Sequence, residues 1–291
     1  MTAAVGKALR ILSMTCPSGS TTVLSILGDP ITQVALPRLF SRYAVQQSLD
    51  AILIPIHVAS ADLPSFARML RGWRNSPGCV LTYPHKQAAA ALVDQATPIA
   101  RRLGVVNLIR REPDGRLIGH LTDGIGFLVA AHHHGFTPKG QRALVIGAGG
   151  AGSAIAYALA DAGLEHLAVL DLIPARRDAL LSLLAKEFRD LDLAHAPSTH
   201  KEYDLIVNAT SVGADGQSLP LSLAAYGQPK LVADVVTEPD ITPLLAAARA
   251  LGCAVQTGKE MAHGQIEAIA QFFGLLGDTS PAPHVDGVFS A

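Results

Sequence analysis

The chain has 291 residues, 49% of them hydrophobic and 16% charged, with a formal net charge of −1 at pH 7. That length buries roughly three quarters of the unfolded surface and predicts two domains. Balanced charge without a Lys/Arg run excludes a nucleic-acid or anionic-membrane footprint, and no apolar run approaches the roughly 20 residues of a membrane span.

Residues 1–21 read as a loose leader ending at Pro17-Ser18-Gly19-Ser20. Residues 22–27 predict a strand closed by Gly28-Asp29-Pro30, residues 37–47 a helix, and residues 51–56 the next strand. A helix over 62–71 tolerates Pro64 in its first turn. Residues 78–82 predict a strand, after which Pro84 and Lys86 open a helix running towards residue 96. Residues 106–111 and 116–120 flank Pro113-Asp114-Gly115, a hairpin signal that inserts an antiparallel element into a strand–helix series. From residue 143 the alternation resumes, with strands at 143–146, 167–170, 205–207, 231–235 and a short one at 254–256. A final helix over 261–276 has no room to extend that sheet, so it is expected to pack back on the first domain and make it discontinuous. The fold class is α/β. Cys16, Cys79 and Cys253 are odd in number and lack a C-x-x-C, which argues against a disulfide framework or zinc site and makes cytoplasmic location the default.

The stretch from Ala143 to Ile146 runs as a strand into Gly147-Ala148-Gly149-Gly150-Ala151-Gly152, and a small-residue helix follows over 153–162. This is a complete G-x-G-x-x-G. Gly147 permits the tight turn, Gly149 admits a pyrophosphate, and Gly152 lets helix and strand approach closely. Asp171 ends the next strand, nineteen residues after Gly152. A carboxylate there accepts from the adenosine ribose hydroxyls and repels a 2′-phosphate. Leu172, Ile173 and Pro174 supply no cation, and Arg176 and Arg177 could act only by reaching back. NAD is therefore expected over NADP. The alternative readings are that Asp171 caps the next helix, or that the loop serves another nucleotide-type cofactor, as in a methyltransferase.

A dinucleotide oxidoreductase needs a group to hold the proton beside the carbon that exchanges hydride. Lys86, after Thr82-Tyr83-Pro84-His85, and Asp123, in Thr122-Asp123-Gly124-Ile125-Gly126, both stand at strand ends where they could share a substrate hydroxyl proton. The Tyr83/Lys86 pair is spaced and placed wrongly for a short-chain dehydrogenase. His132, His133 and His134 cannot share one helix face, so no metal site is expected.

Gly28-Asp29-Pro30-Ile31, Thr82-Tyr83-Pro84-His85-Lys86, Gly104-Val105-Val106-Asn107, Thr122 to Gly126, Asn208-Ala209-Thr210-Ser211-Val212-Gly213 and Gln265 occur in one order. Together they resemble the shikimate and quinate dehydrogenases over about residues 22–277. The resemblance implies a Rossmann-type NAD-binding domain over 123–257 and a discontinuous α/β substrate domain, with a mainly parallel sheet, from 1–122 and 258–291. It implies Lys86 and Asp123 as the catalytic pair of an alcohol dehydrogenase of the shikimate 3-dehydrogenase type. It places Thr82, Asn107 and Gln265 on the substrate, and Gly150, Ala151, Asn208, Thr210, Ser211, Val235, Gly258 and Met261 beside the cofactor.

The departures fall on the substrate side. The serine pair that grips a carboxylate in this family is replaced by Val34 and Leu36, with Gln33 beside it as a partial substitute. A pocket tyrosine is replaced by Thr237, and asparagines by Val80 and Leu121. Leu108 follows Asn107 where a threonine is usual. The Asn-Arg-Thr of NADP-binding members is Asp171-Leu172-Ile173, as in the NAD-using quinate type. The expected protein is thus an NAD-linked dehydrogenase of a cyclic hydroxy acid, quinate, shikimate or a related compound, acting as a monomer or homodimer with no nucleic-acid or membrane partner. The rival expectation is a catalytically weak or inactive NAD-binding regulatory paralogue.

Overall fold

The computed structural model describes residues 17–195 and 203–276. The leader expected over 1–21 lies outside the described residues as far as residue 16. At its end, Thr21 Oγ1 donates to Asp50 Oδ1 at 2.8 Å, tying the start of the first strand to the start of the second.

The first half builds a six-stranded sheet. Its strands are β1 (Thr22–Gly28), β2 (Ala51–His57), β3 (Gly78–Leu81), β4 (Gln95–Ala96), β5 (Leu108–Arg111) and β6 (Leu117–His120), in the order β2-β1-β3-β5-β6-β4. Pro55 is tolerated because β2 is an edge strand. β5 alone runs antiparallel to its neighbours β3 and β6, as the Pro113-Asp114-Gly115 signal requires. One edge of the sheet therefore carries the C-terminal ends of β1, β2, β3 and β6 together with the N-terminal end of β5. Helices α1 (Leu36–Gln46), α2 (Leu63–Gly72), α3 (Lys86–Ala89) and α4 (Pro98–Leu103) connect these strands.

Helix α5 (Asp123–His133) leads into the second sheet. That sheet contains β7 (Arg142–Ile146), β8 (His166–Leu170), β9 (Asp192–Ala194), β10 (Leu205–Asn208), β11 (Leu231–Asp234) and β12 (Ala254–Gln256), in the order β12-β11-β10-β7-β8-β9. Every pairing is parallel. Helices α6 (Gly150–Asp161), α7 (Pro174–Glu187) and α8 (Pro243–Ala250) complete a doubly wound layer whose direction reverses between β7 and β10, the point where such sheets bind ligands. Helices α9 (Gly258–Gly264) and α10 (Ile266–Phe272) close the described chain. Ile266, Ile269, Phe272 and Phe273 then join Leu24, Ile26 and Phe40 in the core of the first sheet. Among the described residues no helix is long and apolar enough to cross a membrane.

Two expected helices differ. The helix from Lys86 towards residue 96 stops after one turn at Ala89. Despite its helix-forming alanines, the chain is claimed by the sheet: Asp94 N donates to Leu117 O at 2.9 Å, and its carboxylate takes both Arg71 and Leu117 N. Tertiary pairing overrides local propensity here. The final helix begins earlier, at Gly258, behind a capping box in which Thr257 and Glu260 bond reciprocally, and it is broken at Gln265.

His120 ends β6 against this last helix, stacked on Phe272 at 4.9 Å, with Thr97 Oγ1 2.9 Å from its Nδ1. Burial, helped by nearby Arg110, pushes its pKa down from 6.5 to about 4. Between those values the unfolded chain binds a proton that the folded ring refuses, so stability falls as pH drops from 6.5 towards 4. His120→Gln is expected to flatten that fall by up to about 3 kcal/mol. Urea midpoints of both proteins at about pH 7 and about pH 4.5 measure it.

Candidate active site

The first sheet's site edge collects side chains from separate strands. Thr82 and Lys86 follow β3, Asn107 precedes the reversed β5, and Thr122 and Asp123 follow β6. Lys86 Nζ lies 2.6 Å from Asp123 Oδ2, and both side chains are largely buried. Asn107 Oδ1 accepts from Thr122 N at 2.9 Å, while its Nδ2 donates to Thr122 Oγ1 and to Gln265 Oε1, each at 3.1 Å. Thr122 Oγ1 also donates to Gln265 Oε1 at 3.0 Å. With two donors on Oε1, the Gln265 amide is oriented so that Nε2 is left to donate to a ligand.

The glycines of the Thr122–Gly126 motif have a packing reason. A Cβ on Gly124 would meet Ala154 O of α6 at 2.7 Å, and one on Gly126 would meet Gln265 Cγ at 2.2 Å. They let α5 approach α6 on one side and α9 with Gln265 on the other. Thr122 is the member of this network that the sequence did not single out. Its position beside Asp123 was visible, but its bond to Gln265, more than a hundred residues away, was not.

The opposing edge belongs to the second sheet. Gly147 adopts φ +99° after β7, and a Cβ there would meet Thr210 Cγ2 at 2.8 Å. On Gly152 a Cβ would lie 1.8 Å from Gly147 O, so only glycine closes this turn. Around Gly149 nothing lies within 4 Å of the added atom, and no side chain caps α6. The loop is therefore open where a pyrophosphate would sit against the helix N-terminus, and the residues present fit a dinucleotide. Gly150 and Ala151 form the first turn of α6. A Cβ on Gly150 would be 3.5 Å from Lys86 Cβ, so the glycine loop borders the lysine directly.

Asp171 follows β8. Its Oδ2 accepts from Ala148 N at 2.6 Å and its Oδ1 from Ile173 N at 2.7 Å. Ile173, not Asp171, is the cap position of α7, which removes the helix-capping alternative. The carboxylate is instead held against the glycine loop.

At the end of β10, Asn208 is fully buried. Its Nδ2 donates to both oxygens of Asp234 at 3.1 Å and to Val212 O at 2.9 Å, and its Oδ1 accepts from Thr210 N and Oγ1. Burial raises the Asp234 pKa against the lowering pull of these donors. Asn208 is thus a brace that shapes the loop; Thr210 Oγ1 is used within it, also accepting from Val212 N at 3.1 Å, and Ser211 is exposed. Val235 is half-buried after β11. Gly258 backs onto Val236 O, 2.4 Å from an added Cβ, and the Met261 side chain lies in the core beneath α5.

Gln33 and Thr237 meet across the cleft, where Thr237 Oγ1 donates to Gln33 O at 2.9 Å. The Gln33 amide turns back to Pro30 O at 3.3 Å. Leu36 is buried with Val80 and Leu108, and Val34 packs on the same cluster. Of the histidine run, His134 pairs with Glu260 at 3.1 Å.

Residues 26–109 match the family described as "Shikimate dehydrogenase substrate binding domain", and residues 129–219 match "Shikimate / quinate 5-dehydrogenase". The shikimate dehydrogenase (NADP(+)) of Acidiphilium cryptum is 36% identical over 265 residues, covering 89% of this chain and 92% of the relative. The ligand-free 5-ketofructose reductase of Gluconobacter sp. strain CHM43 superposes with a TM-score of 0.77 at 28% identity, covering 94% of this chain and 100% of that one. Quinate dehydrogenase from Corynebacterium glutamicum, in complex with NAD, gives a TM-score of 0.74 at 27% identity, covering 91% and 96%.

Thr122→Val removes one hydrogen bond from the Gln265 amide, worth about 1 kcal/mol. It is expected to raise KM roughly fivefold and to change kcat less, which steady-state kinetics would read.

Proposed function

Because this chain belongs to the shikimate/quinate dehydrogenase family, we propose that it oxidises a ring hydroxyl of a quinate- or shikimate-type compound, or a related polyhydroxylated one, with NAD. The observation that carries the reading is the Lys86–Asp123 pair, 2.6 Å apart and bordered by the glycine loop. A nicotinamide bound there supplies the hydride acceptor. The pair takes the hydroxyl proton as the carbon loses hydride: Lys86 Nζ passes one of its protons to the Asp123 carboxylate and receives the hydroxyl's in its place. Thr82, Asn107 and Gln265 orient the remaining hydroxyls. Gly147, Gly149, Gly150, Ala151 and Gly152 receive the pyrophosphate, with Thr210, Ser211, Val235, Gly258 and Met261 along the rest of the cofactor. In this reading residues 123–257 form the cofactor domain, and residues 1–122 with 258–291 form the substrate domain of a cytoplasmic enzyme.

The preference for NAD rests on Asp171. Its carboxylate is anchored by two backbone N–H groups where a 2′-phosphate would lie. Arg177, the cation nearest in sequence after Arg176, is bonded to Asp178 at 2.9 Å. The Acidiphilium relative is named for NADP(+) and the Corynebacterium enzyme is in complex with NAD, so both cofactors occur in the family, and the Asp171 carboxylate is what supports NAD here. Shikimate, quinate and 5-ketofructose in the relatives' names bracket the substrate class as oxygen-rich carbon frameworks.

A second reading, an NAD-binding paralogue without turnover, is favoured by the apolar Val34 and Leu36. Cofactor reduction across a panel of such alcohols separates the two. Lys86→Ala is expected to lower kcat by about 10²–10⁴-fold and to leave NAD affinity nearly unchanged. Wild type is expected to favour NAD over NADP by at least about tenfold, with Asp171→Ser narrowing the gap. A Lys86→Ala protein that keeps most of its activity would remove the lysine from the mechanism.

A further inference from the structure

The substrate side of the cleft is polar but carries no spare positive charge. Thr82, Asn107, Thr122 and Gln265 are neutral. Lys86 and Asp123 offset each other at 2.6 Å. The segment that passes over Thr82, Gly28 to Gln33, brings a carboxylate at Asp29 and no cation: a Cβ on Gly28 would meet Thr82 Cγ2 at 2.5 Å and Ile31 Cδ1 at 3.1 Å. Val34 and Leu36 then pack onto the cluster holding Val80 and Leu108.

Basic side chains flanking this segment are engaged or turned outward. His57 lies 2.7 Å from Asp29, and Lys259 lies 3.3 Å from Glu238 and 3.6 Å from Asp240. Arg38 is exposed on α1, opposite the face that buries Leu36 and Phe40. An ionised carboxylate entering this wall would lose its hydration and gain no counter-charge, which opposes binding. Hydroxyl and carbonyl groups meet matching amides and hydroxyls, and Gln265 Nε2 offers its donor to either.

We propose that the pocket selects an uncharged polyhydroxylated alcohol, or its ketone in the reverse direction, over a carboxylate-bearing one. The inference rests on the dehydrogenase reading above and narrows its substrate. The redox step is unchanged: one C–H and one O–H bond break, the carbonyl forms, hydride goes to the nicotinamide and the proton to the Lys86–Asp123 pair, whose carboxylate has room for it.

Shikimate and its methyl ester are a matched pair, the same ring with and without the charge. Both are assayed with wild type and with Lys86→Ala as the blank. The ester is expected to have the higher kcat/KM by at least about tenfold, and Val34→Lys, which supplies a cation, is expected to narrow or reverse that ratio. Equal or better turnover of the acid overturns the inference and leaves the dehydrogenase reading standing. If neither compound is oxidised in a Lys86-dependent way, the dehydrogenase reading fails for this pair. Calorimetric titration of both into the NAD-loaded protein then decides charge selection: a tighter ester supports the inference, and an equal or tighter acid overturns it.

Discussion

Lys86 and Asp123 form an ion pair that the fold goes to some length to assemble. Each charge taken from water carries a desolvation cost that a pair recovers only with good geometry, and 2.6 Å between largely buried groups is such geometry. The lysine is the first residue of α3, shortly after β3, and the carboxylate is the first residue of α5. The rest of the site follows from holding those two chain segments together. The reversed β5 brings Asn107 to the same edge, Asn107 grips Thr122, and Thr122 fixes both the start of α5 and the amide of Gln265.

Helix α5 transmits that constraint to the second sheet. Asp123 faces the first sheet's edge, whereas Phe127, Leu128 and Ala131 lie in the core of the second. Gly124 removes the Cβ that would strike α6, the same helix that the glycine loop opens. The Lys86–Asp123 pair and the glycine loop are thereby set against each other by one close helix contact. Thr237 and Gln33 join the two rims on the other side. Exchange of hydride needs reacting atoms held near van der Waals contact, and these contacts define the gap in which the proposed reaction would run.

Much of this was legible in the chain. The G-x-G-x-x-G has a local geometric cause, since Gly147 and Gly152 touch each other's backbone, and local causes leave local signatures. The Pro113-Asp114-Gly115 turn gave away the antiparallel strand for the same reason. What could not be read depends on distant partners. The alanines after Lys86 argue for helix, and only the pairing of Asp94 to Arg71 and β6 reveals β4. Asn208 stands in a cofactor-loop motif, yet its amide is consumed by Asp234, a residue on the neighbouring strand. Thr122 has no local oddity at all, and its role exists only because Gln265 returns from the far end of the chain. Family resemblance supplied Lys86, Asp123 and Gln265 as a set, which spacing alone would not have joined.

The central claim is that Lys86 and Asp123 act as one unit on the substrate proton, and a double-variant cycle measures it directly. Lys86→Met, Asp123→Asn and the combined protein are compared in kcat/KM with the same alcohol and cofactor. If the carboxylate works through the lysine, the combined protein is expected to be no slower than the slower single variant, within about threefold. Losses that multiply independently would contradict a shared proton and separate the two residues into unrelated roles.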